Sequence, residues 1–259
     1  MKNKDIQKET EWLLKEKYGG HPAKIKHGVK KFNADVKRLK KGEPVDYVIG
    51  FINFLGCKID LSKKPLIPRK ETEHWAAYAA RDIKDRVDNS NDTLRVLDIF
   101  SGSGCVGIAI MAHLPNVLCD FADKNKNAIS QIKINLKNNF IKKPKSKIIQ
   151  SDIFSKVKSK YDYILANPPY IPIKNKNKVQ KSVLKYEPKD ALFAGEDGMK
   201  YINKFLKNAK KYLKPYGRIY MEFDPPQKEG IESLIRKYGY TKWWFIKDQF
   251  GCWRLVVIE

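Results

Sequence analysis

Residues 93–114, "TLRVLDIFSGSGCVGIAIMAHL", combine an apolar strand, a glycine-rich loop and an apolar helix. The run "TLRVLDIF" predicts a strand, and "CVGIAIMAHL" predicts the helix that follows it. Between them, Gly102, Gly104 and Gly107 form the pattern G-x-G-x-x-G, which lets a backbone approach a bound ligand closely. A strand, glycine loop and helix in this order are typical of the nucleotide-binding unit of doubly wound α/β sheets.

Strand and helix patterns alternate from about residue 66 to the C-terminus, as they do in a doubly wound sheet. Six further strands are expected, in "VLCDFAD", "SKIIQSDIF", "YDYILANPPY", "GRIYMEFD", "KWWFIKD" and "CWRLVVIE". The last two are too close in sequence for a crossover helix, so they should pair antiparallel. The pattern predicts an α/β fold with a Rossmann-like seven-stranded sheet in which the last strand is antiparallel.

The N-terminal quarter of the chain has too little apolar sequence for a core of its own. Residues 1–46 predict a small, basic helical cap, with a second helix over 34–41, and residues 47–65 predict a β-hairpin connector that turns at Leu55 and Gly56. The main domain is expected over residues 66–259, on which the cap and the hairpin would pack.

The net charge of +23, from 52 Lys and Arg against 29 Asp and Glu, favours acidic partners. Scattered lysines also serve solubility, so charge alone leaves open whether the surface contacts the ribosome or a nucleic acid. The four cysteines form no CxxC pair, and no metal site is expected. Since no signal peptide or membrane span stands out, the sequence predicts a cytoplasmic protein without a membrane partner, which we expect to be a monomer.

Two acidic residues bear on the ligand of the glycine loop. Asp123 ends the strand after the loop, where a carboxylate binds ribose hydroxyls, and this pattern serves both a dinucleotide and S-adenosylmethionine. Asp98 comes just before the loop, where it would repel a pyrophosphate but can interact with an ammonium group, directly or through water. Together with the antiparallel strand pair, this favours S-adenosylmethionine. Asp152 and Ile153 are expected near its adenine.

The strand "YDYILA" ends in Asn167, Pro168, Pro169 and Tyr170, at the edge of the sheet where ligands bind. A planar amide or aromatic amine attacks poorly because resonance holds its lone pair. The Asn167 side-chain oxygen and the Pro168 carbonyl can accept both of its N–H groups and aim the nitrogen at a methyl carbon. Rigid prolines and a stacking Tyr170 complete a clamp for a planar –NH2, with Asn167 and Pro168 as the catalytic groups.

Taken together, these motifs resemble the class I S-adenosylmethionine-dependent amino-methyltransferases, which include adenine-N6 methyltransferases of nucleic acids and glutamine-N5 methyltransferases of proteins. Residues 38–75 carry Gly-x-Pro-x-x-Tyr-x-x-Gly and Ile-Pro-Arg-x-Glu-Thr-Glu, which resemble the segment that leads into the catalytic domain of release factor glutamine methyltransferases. "EPKDALFAGEDGMKYI", the pair Glu222 and Gln227, and "DQFGCWRLVV" continue this resemblance.

The resemblance implies a class I methyltransferase fold and methylation of the glutamine N5 in the Gly-Gly-Gln loop of class 1 peptide-chain release factors. S-adenosylmethionine would be the cofactor and the release factor the partner. The implied cofactor residues are Phe100, Ser101, Gly102, Ser103 and Gly104, with Asp98, Asp123, Asp152, Ile153 and Asn167. The residues implied to bind the substrate glutamine are Asn167, Pro168, Pro169 and Tyr170.

Several features depart from the family pattern or leave alternatives open. Phe100, Lys70 and Asp224 replace a customary glycine, proline and glycine, and the N-terminal region is short for the family. Glutamine methylation of a ribosomal protein and adenine-N6 methylation of RNA or DNA are the alternatives. A nicotinamide-dependent oxidoreductase would share the glycine loop but has no use for Asn-Pro-Pro-Tyr. Residues 171–197 are expected to form either a lid over the site or a disordered insertion.

Overall fold

A seven-stranded mixed sheet organises the protein in a computed structural model that describes residues 3–89, 93–141 and 146–259. The strands in chain order are β1 (Phe51–Phe54), β2 (Cys57–Asp60), β3 (Leu94–Ile99), β4 (Val117–Asp123), β5 (Ile148–Gln150), β6 (Tyr161–Ala166), β7 (Leu213–Glu222), β8 (Trp243–Lys247) and β9 (Trp253–Ile258). The helices are α1 (Asn3–Tyr18), α2 (Gly28–Lys40), α3 (Val45–Ile49), α4 (Lys70–Asp88), α5 (Cys105–His113), α6 (Lys126–Asn138), α7 (Lys181–Tyr186), α8 (Lys200–Ala209) and α9 (Lys228–Lys237).

The order of strands in the large sheet is β5-β4-β3-β6-β7-β9-β8. The pairs from β5 to β7 are parallel, and β9 lies antiparallel between β7 and β8. This confirms the seven-stranded sheet with an antiparallel last strand. The chain leaves β3 towards β4 and later returns to β6 on the other side of β3. The carboxyl ends of β3 and β6 therefore flank the switch point, where open α/β sheets bind ligands.

Helices cover both faces of the sheet, as a parallel sheet requires. The apolar face of α4 packs on one side through Trp75, Ala76, Ala79 and Ile83, all buried. On the other side, α8 and α9 bury their apolar faces against β6 and β7. Strand β6 is buried along its whole length, which explains its unbroken apolar sequence.

The N-terminal helices α1, α2 and α3 share a small cluster of buried apolar side chains of their own. The structure differs from the sequence prediction at α3, because Val45–Ile49 is helical and the hairpin comprises only β1 and β2. Pro44 precedes this short helix and Gly50, with φ of 97°, ends it. A short apolar run has no periodicity that separates a helical turn from a strand, hence the error. Helix α2 also begins earlier than predicted, at Gly28. The domain boundaries remain predictions.

The hairpin turns at Leu55 and Gly56, as predicted, with positive φ at both residues. Two buried polar side chains of α6 hold it. Asn135 accepts the Asp60 N–H at 2.8 Å and donates to the Ser103 carbonyl in the glycine loop at 2.9 Å. Gln131 donates to the Asp60 carboxylate at 2.9 Å. The hairpin is thereby fixed to the glycine loop, and it directs residues 62–69 towards the switch point.

Residues 171–197, which we call the cover segment, are folded over the carboxyl edge of the sheet. They contain α7, two short 3₁₀ turns (Ile173–Lys178 and Lys189–Ala191) and a β-bridge between Ile171 and Phe193. The buried carboxylate of Glu187 accepts the Ile67 N–H at 3.1 Å, which ties this segment to the chain before α4. Of the two interpretations of this stretch, the structure supports the lid. Within the described residues, no helix combines the length and apolar character needed to cross a membrane.

Candidate active site

A cavity opens at the switch point, above the carboxyl ends of β3, β4 and β6. Most residues predicted to bind a cofactor line it, namely Asp98, Phe100, Ser101, Gly102, Ser103, Asp123, Asp152, Ile153 and Asn167. Gly104 does not line it, because it turns the chain into α5 and packs against Ile132. The residues before α4, the cover segment and Tyr201 of α8 complete the wall.

The glycine loop is held by hydrogen bonds to the ends of the strands beside it. The Gly102 N–H donates to the Asp123 carboxylate at 2.9 Å, and the Ser101 hydroxyl donates to the Asp98 carbonyl at 2.6 Å. Gly102 has φ of 55°, a conformation that favours glycine. A Cβ on Gly107 would meet the Phe121 ring at 2.6 Å, so this third glycine permits the close contact of α5 with β4.

Asp98 is a buried carboxylate that borders the cavity at the end of β3. It accepts one hydrogen bond, from the Gly107 N–H at 2.9 Å. Burial, with a smaller contribution from the negative charge of Asp123, raises the pKa of Asp98 to about 8. A cation bound in this cavity would stabilise the ionised carboxylate, whereas a phosphate would be repelled by it. The site therefore suits a ligand that carries an ammonium group.

The Asp123 carboxylate lies at the end of β4 and accepts backbone N–H groups from Gly102 and Asn125, at 2.9 and 2.8 Å. Burial raises its pKa despite these bonds. Ile153 is buried beside it, and Asp152 is exposed at the rim. The residues expected at the ribose and at the adenine thus lie in one wall of the cavity.

Phe100 stands where the family usually has glycine, and its backbone keeps the left-handed conformation of a glycine, with φ of 58°. Its ring packs against Tyr201 and Phe205, with centroid distances of 6.3 and 6.2 Å. These contacts with α8 offset the strain of a side chain in this conformation, which costs about 1–2 kcal/mol. Phe100 therefore adds an aromatic ring to the wall of the cavity.

Asn167 begins the predicted clamp directly after β6. Asn167 and Pro169 border the cofactor cavity, while Asn167, Pro168 and Tyr170 border a second cavity next to it. The second cavity is lined largely by apolar residues of the cover segment and by Leu66. Asn167 therefore lies in the wall that the two cavities share, where a group in one can be presented to a group in the other.

Arg69 also lies in the wall of both cavities. The spacing of four residues between Arg69 and Glu73 is also compatible with an ion pair at the start of α4. In the structure Arg69 donates to Glu187 of the cover segment at 2.7 Å, and Glu73 instead accepts from Lys70 and from the Leu55 N–H. The partner in a distant segment could not be inferred from local spacing.

Glu222, at the end of β7, is the buried centre of a polar network that sequence reasoning missed. Its Oε2 accepts from the Thr72 hydroxyl at 2.7 Å and from the Trp75 indole N–H at 2.6 Å. Its Oε1 accepts from the Tyr170 hydroxyl at 3.3 Å, and the Asn167 side-chain amide donates to Thr72 at 3.2 Å. Burial raises the pKa of Glu222. The motif Ile-Pro-Arg-x-Glu-Thr-Glu was the only sequence signal for Thr72.

Residues 3–89, 93–141 and 146–259 contain no group of three or more His, Cys, Asp or Glu side chains that could bind a metal ion. The polar groups that line the two cavities are carboxylates, amides, hydroxyls, a thiol, the Arg69 guanidinium and the ammonium groups of Lys63, Lys64 and Lys124. What they can do is bind, orient and shield reacting groups.

The sheet with its antiparallel last strand and the glycine loop with an acid on β4 define a class I methyltransferase. Residues 83–191 match the family model of the methyltransferase small domain. The chain is 35% identical over 236 residues to the release factor glutamine methyltransferase of Streptococcus pneumoniae, covering 89% of this chain and 80% of that protein. The chain belongs to the family of release factor glutamine methyltransferases.

Solved structures share the fold at low identity. The ribosomal protein L11 methylase from Lactobacillus delbrueckii subsp. bulgaricus has a TM-score of 0.54 at 15% identity, covering 76% of this chain and 82% of that one. The hMettl16 catalytic domain in complex with MAT2A 3′UTR hairpin 6 has a TM-score of 0.62 at 15% identity, covering 79% and 75%. One of these proteins is named for a protein substrate and the other is bound to RNA, so the fold alone does not select an acceptor.

Proposed function

We propose that this chain transfers a methyl group from S-adenosylmethionine to the side-chain N5 of the glutamine in the Gly-Gly-Gln loop of a class 1 peptide-chain release factor. The observation that carries the proposal is the position of Asn167 in the wall between two cavities. One cavity has the glycine loop and acids that suit the cofactor, and the other has the apolar wall that suits a peptide segment. The name of the 35% identical relative supports the choice of acceptor.

The residues that line the first cavity suit S-adenosylmethionine, which supplies an electrophilic methyl group when bound. Asp98, buried with a pKa of about 8, would take the ammonium group of its methionine part. Asp123 would accept the ribose hydroxyls, with Ile153 and Asp152 at the adenine. Phe100 and the loop from Ser101 to Gly104 would close the remaining side.

The acceptor would be held by Asn167 and Pro168. Among the described residues, no donor contacts the Asn167 side-chain oxygen or the Pro168 carbonyl. Both oxygens can therefore accept the two N–H groups of a substrate amide and fix its plane. Holding reactants in such a geometry contributes about 7–11 kcal/mol in favourable cases. Pro169 stiffens the backbone, and Tyr170 covers the planar group.

The lining of the second cavity also indicates which kind of partner the protein would bind. Six of the residues that line the second cavity are aliphatic: Leu66, Ile171, Val179, Val183, Ala191 and Leu192. This lining favours a protein loop over a charged polynucleotide strand.

The proposed enzyme acts as a monomer in the cytoplasm, where release factors terminate translation. Its +23 charge would add contacts to the ribosome or RNA, which a steep salt dependence of the reaction would reveal.

Transfer of a labelled methyl group tests the proposal. S-adenosylmethionine labelled in its methyl group is offered with a class 1 release factor, with ribosomal proteins, and with bulk RNA and DNA in separate reactions. Label in the release factor alone supports the proposal. Label in nucleic acid would assign the clamp to adenine, and label in a ribosomal protein would assign it to another glutamine.

A further inference from the structure

The side chain of Asn167 can act in the proposed clamp only in one of its two orientations. Its amide has an acceptor oxygen at one end and a donor NH2 at the other, in nearly the same shape. If the amide were reversed, it would present N–H groups to the N–H groups of the substrate and repel them. Some other part of the molecule must therefore fix which end faces the acceptor.

The direction of the hydrogen bonds from Trp75 to Asn167 settles this orientation. The Trp75 indole is a donor only, so Glu222 Oε2, 2.6 Å away, accepts from it, and an ionised Glu222 carboxylate has no proton to donate in return. The Thr72 hydroxyl, 2.7 Å from the same Oε2, therefore donates its single hydrogen bond to Glu222. What it offers Asn167 is a lone pair, and the Asn167 side chain must donate to it.

We propose that Thr72 and Glu222 are positioning residues that hold the NH2 end of the Asn167 amide away from the substrate, so that its oxygen faces the acceptor nitrogen. The inference rests on the proposed function of the clamp. The same carboxylate also accepts the Tyr170 hydroxyl at 3.3 Å, so Glu222 is linked to both ends of Asn-Pro-Pro-Tyr, directly at Tyr170 and through Thr72 at Asn167.

The burial of Glu222 supports a role beyond stability. Its side chain is 1% exposed, and burial of a carboxylate is unfavourable unless its oxygens are hydrogen-bonded. Hydrophobic side chains would fill this place at lower cost. Three donors from α4 and the clamp converge on Glu222 instead, and among the described residues Thr72 is the link between it and Asn167.

The test compares Thr72→Val, which keeps the shape and removes the hydroxyl, with Thr72→Ser, which keeps the hydroxyl. We expect Thr72→Val to lower kcat by about tenfold to a hundredfold, because a misplaced reacting group costs this much. KM for the acceptor protein and the Kd for S-adenosylhomocysteine should stay within about twofold. Thr72→Ser should restore most of kcat. Thr10→Val is the matched control, since the Thr10 hydroxyl bonds only within α1.

These measurements distinguish a positioning role of Thr72 from a purely structural role, and they also distinguish both from a wrongly assigned acceptor. Unchanged kcat in Thr72→Val, or a joint loss of kcat, cofactor affinity and thermal midpoint that Thr72→Ser shares, would overturn the inference. Failure of the proposed function would appear in the wild-type chain, as label in another acceptor. The Thr72 variants are then assayed on that acceptor, where the same drop in kcat is expected if the amide is oriented as inferred.

Discussion

The Arg69 guanidinium donates to the buried Glu187 carboxylate at 2.7 Å and so joins the cover segment to the shared wall of the two cavities. Glu187 also accepts the Ile67 N–H, which makes this the firmest described link between the cover segment and the chain before α4. Arg69 is partly exposed while Glu187 is 1% exposed, so the loss of Arg69 would leave a buried charge without its partner.

Arg69→Met should therefore loosen the cover segment. We expect faster amide hydrogen exchange over residues 180–192 and a loss of unfolding free energy of about 1–3 kcal/mol, after allowance for the exposure of Arg69. Arg236→Met removes an exposed pair with Glu232 on α9 and should leave exchange in that range unchanged. Equal rates of amide hydrogen exchange over residues 180–192 in the Arg69 variant and the wild-type chain would show that this ion pair does not hold the cover segment in place.

Asp123→Ala should chiefly weaken binding of the cofactor. The change removes a half-buried carboxylate that also accepts the Gly102 N–H of the glycine loop, and hydrogen bonds to charged groups contribute about 1.5–3 kcal/mol. We expect the Kd for S-adenosylhomocysteine, measured by calorimetry, to rise by about tenfold to a hundredfold. Asp152→Ala, at the exposed rim, is the comparison and should raise it less. A larger effect at Asp152 would reverse the assignment of the ribose contact.

Asp98 should make cofactor affinity depend on pH. Its pKa is raised to about 8 by burial, so the carboxyl is largely neutral at pH 6 and ionised at pH 9. Only the ionised form attracts an ammonium group, hence binding of S-adenosylhomocysteine should tighten as pH rises from 6 to about 7.5, below the range in which the ligand's own ammonium group loses its proton. Asp98→Asn should bind more weakly at pH 7.5 and lose this pH dependence. A wild-type affinity that is flat between pH 6 and 7.5 would argue against the ammonium contact.

The same pKa predicts a stability effect in the free chain. The folded state of an acid with a raised pKa binds more protons than the unfolded state between about pH 4 and 8. The contribution of Asp98 is therefore fully present at low pH and is lost as pH rises through about 8. The thermal midpoint of wild-type chain should fall, relative to that of Asp98→Asn, from pH 5 to pH 8.5. A constant difference between the two would contradict this assignment.

At position 100, we expect the glycine variant to be more stable than the alanine variant, which is the reverse of the usual order. Both substitutions lose the ring contacts with Tyr201 and Phe205, but only glycine relieves the left-handed backbone at φ of 58°. Phe100→Gly should therefore be more stable than Phe100→Ala by about 1 kcal/mol in urea unfolding. In an ordinary helix or strand, glycine is the less stable of the two. The ordinary order at position 100 would show that strain there is small.

The sequence predicted those elements whose signals are local. "VLCDFAD" coincides with β4, and the glycine loop, its acids and Asn-Pro-Pro-Tyr all border the cavities at the switch point, apart from Gly104. Parallel strands end at one edge of a sheet, so a motif that follows a strand can be placed without coordinates.

The features that the sequence did not predict depend on contacts between segments that are distant along the chain. Thr72 and Glu222 are 150 residues apart, and neither stands out in a helix or strand pattern. On α6, Ile132 is fully buried, as its apolar side chain suggests, but Gln131 and Asn135 are buried too, where their polarity would suggest a solvent-exposed face. Their partners are Asp60 of the hairpin, the Lys63 N–H just after it and the Ser103 carbonyl of the glycine loop, which periodicity does not reveal.

The most direct measurement maps the methylated atom. The wild-type chain and Asn167→Ala are incubated with S-adenosylmethionine and a class 1 release factor, and peptides of the factor are sequenced by mass spectrometry. The account predicts one added methyl group on the glutamine of Gly-Gly-Gln with the wild-type chain. Asn167→Ala should transfer at least about a hundredfold more slowly, while its affinity for S-adenosylhomocysteine stays close to normal. Near-normal transfer by Asn167→Ala, or a methyl group at any other residue, would contradict it.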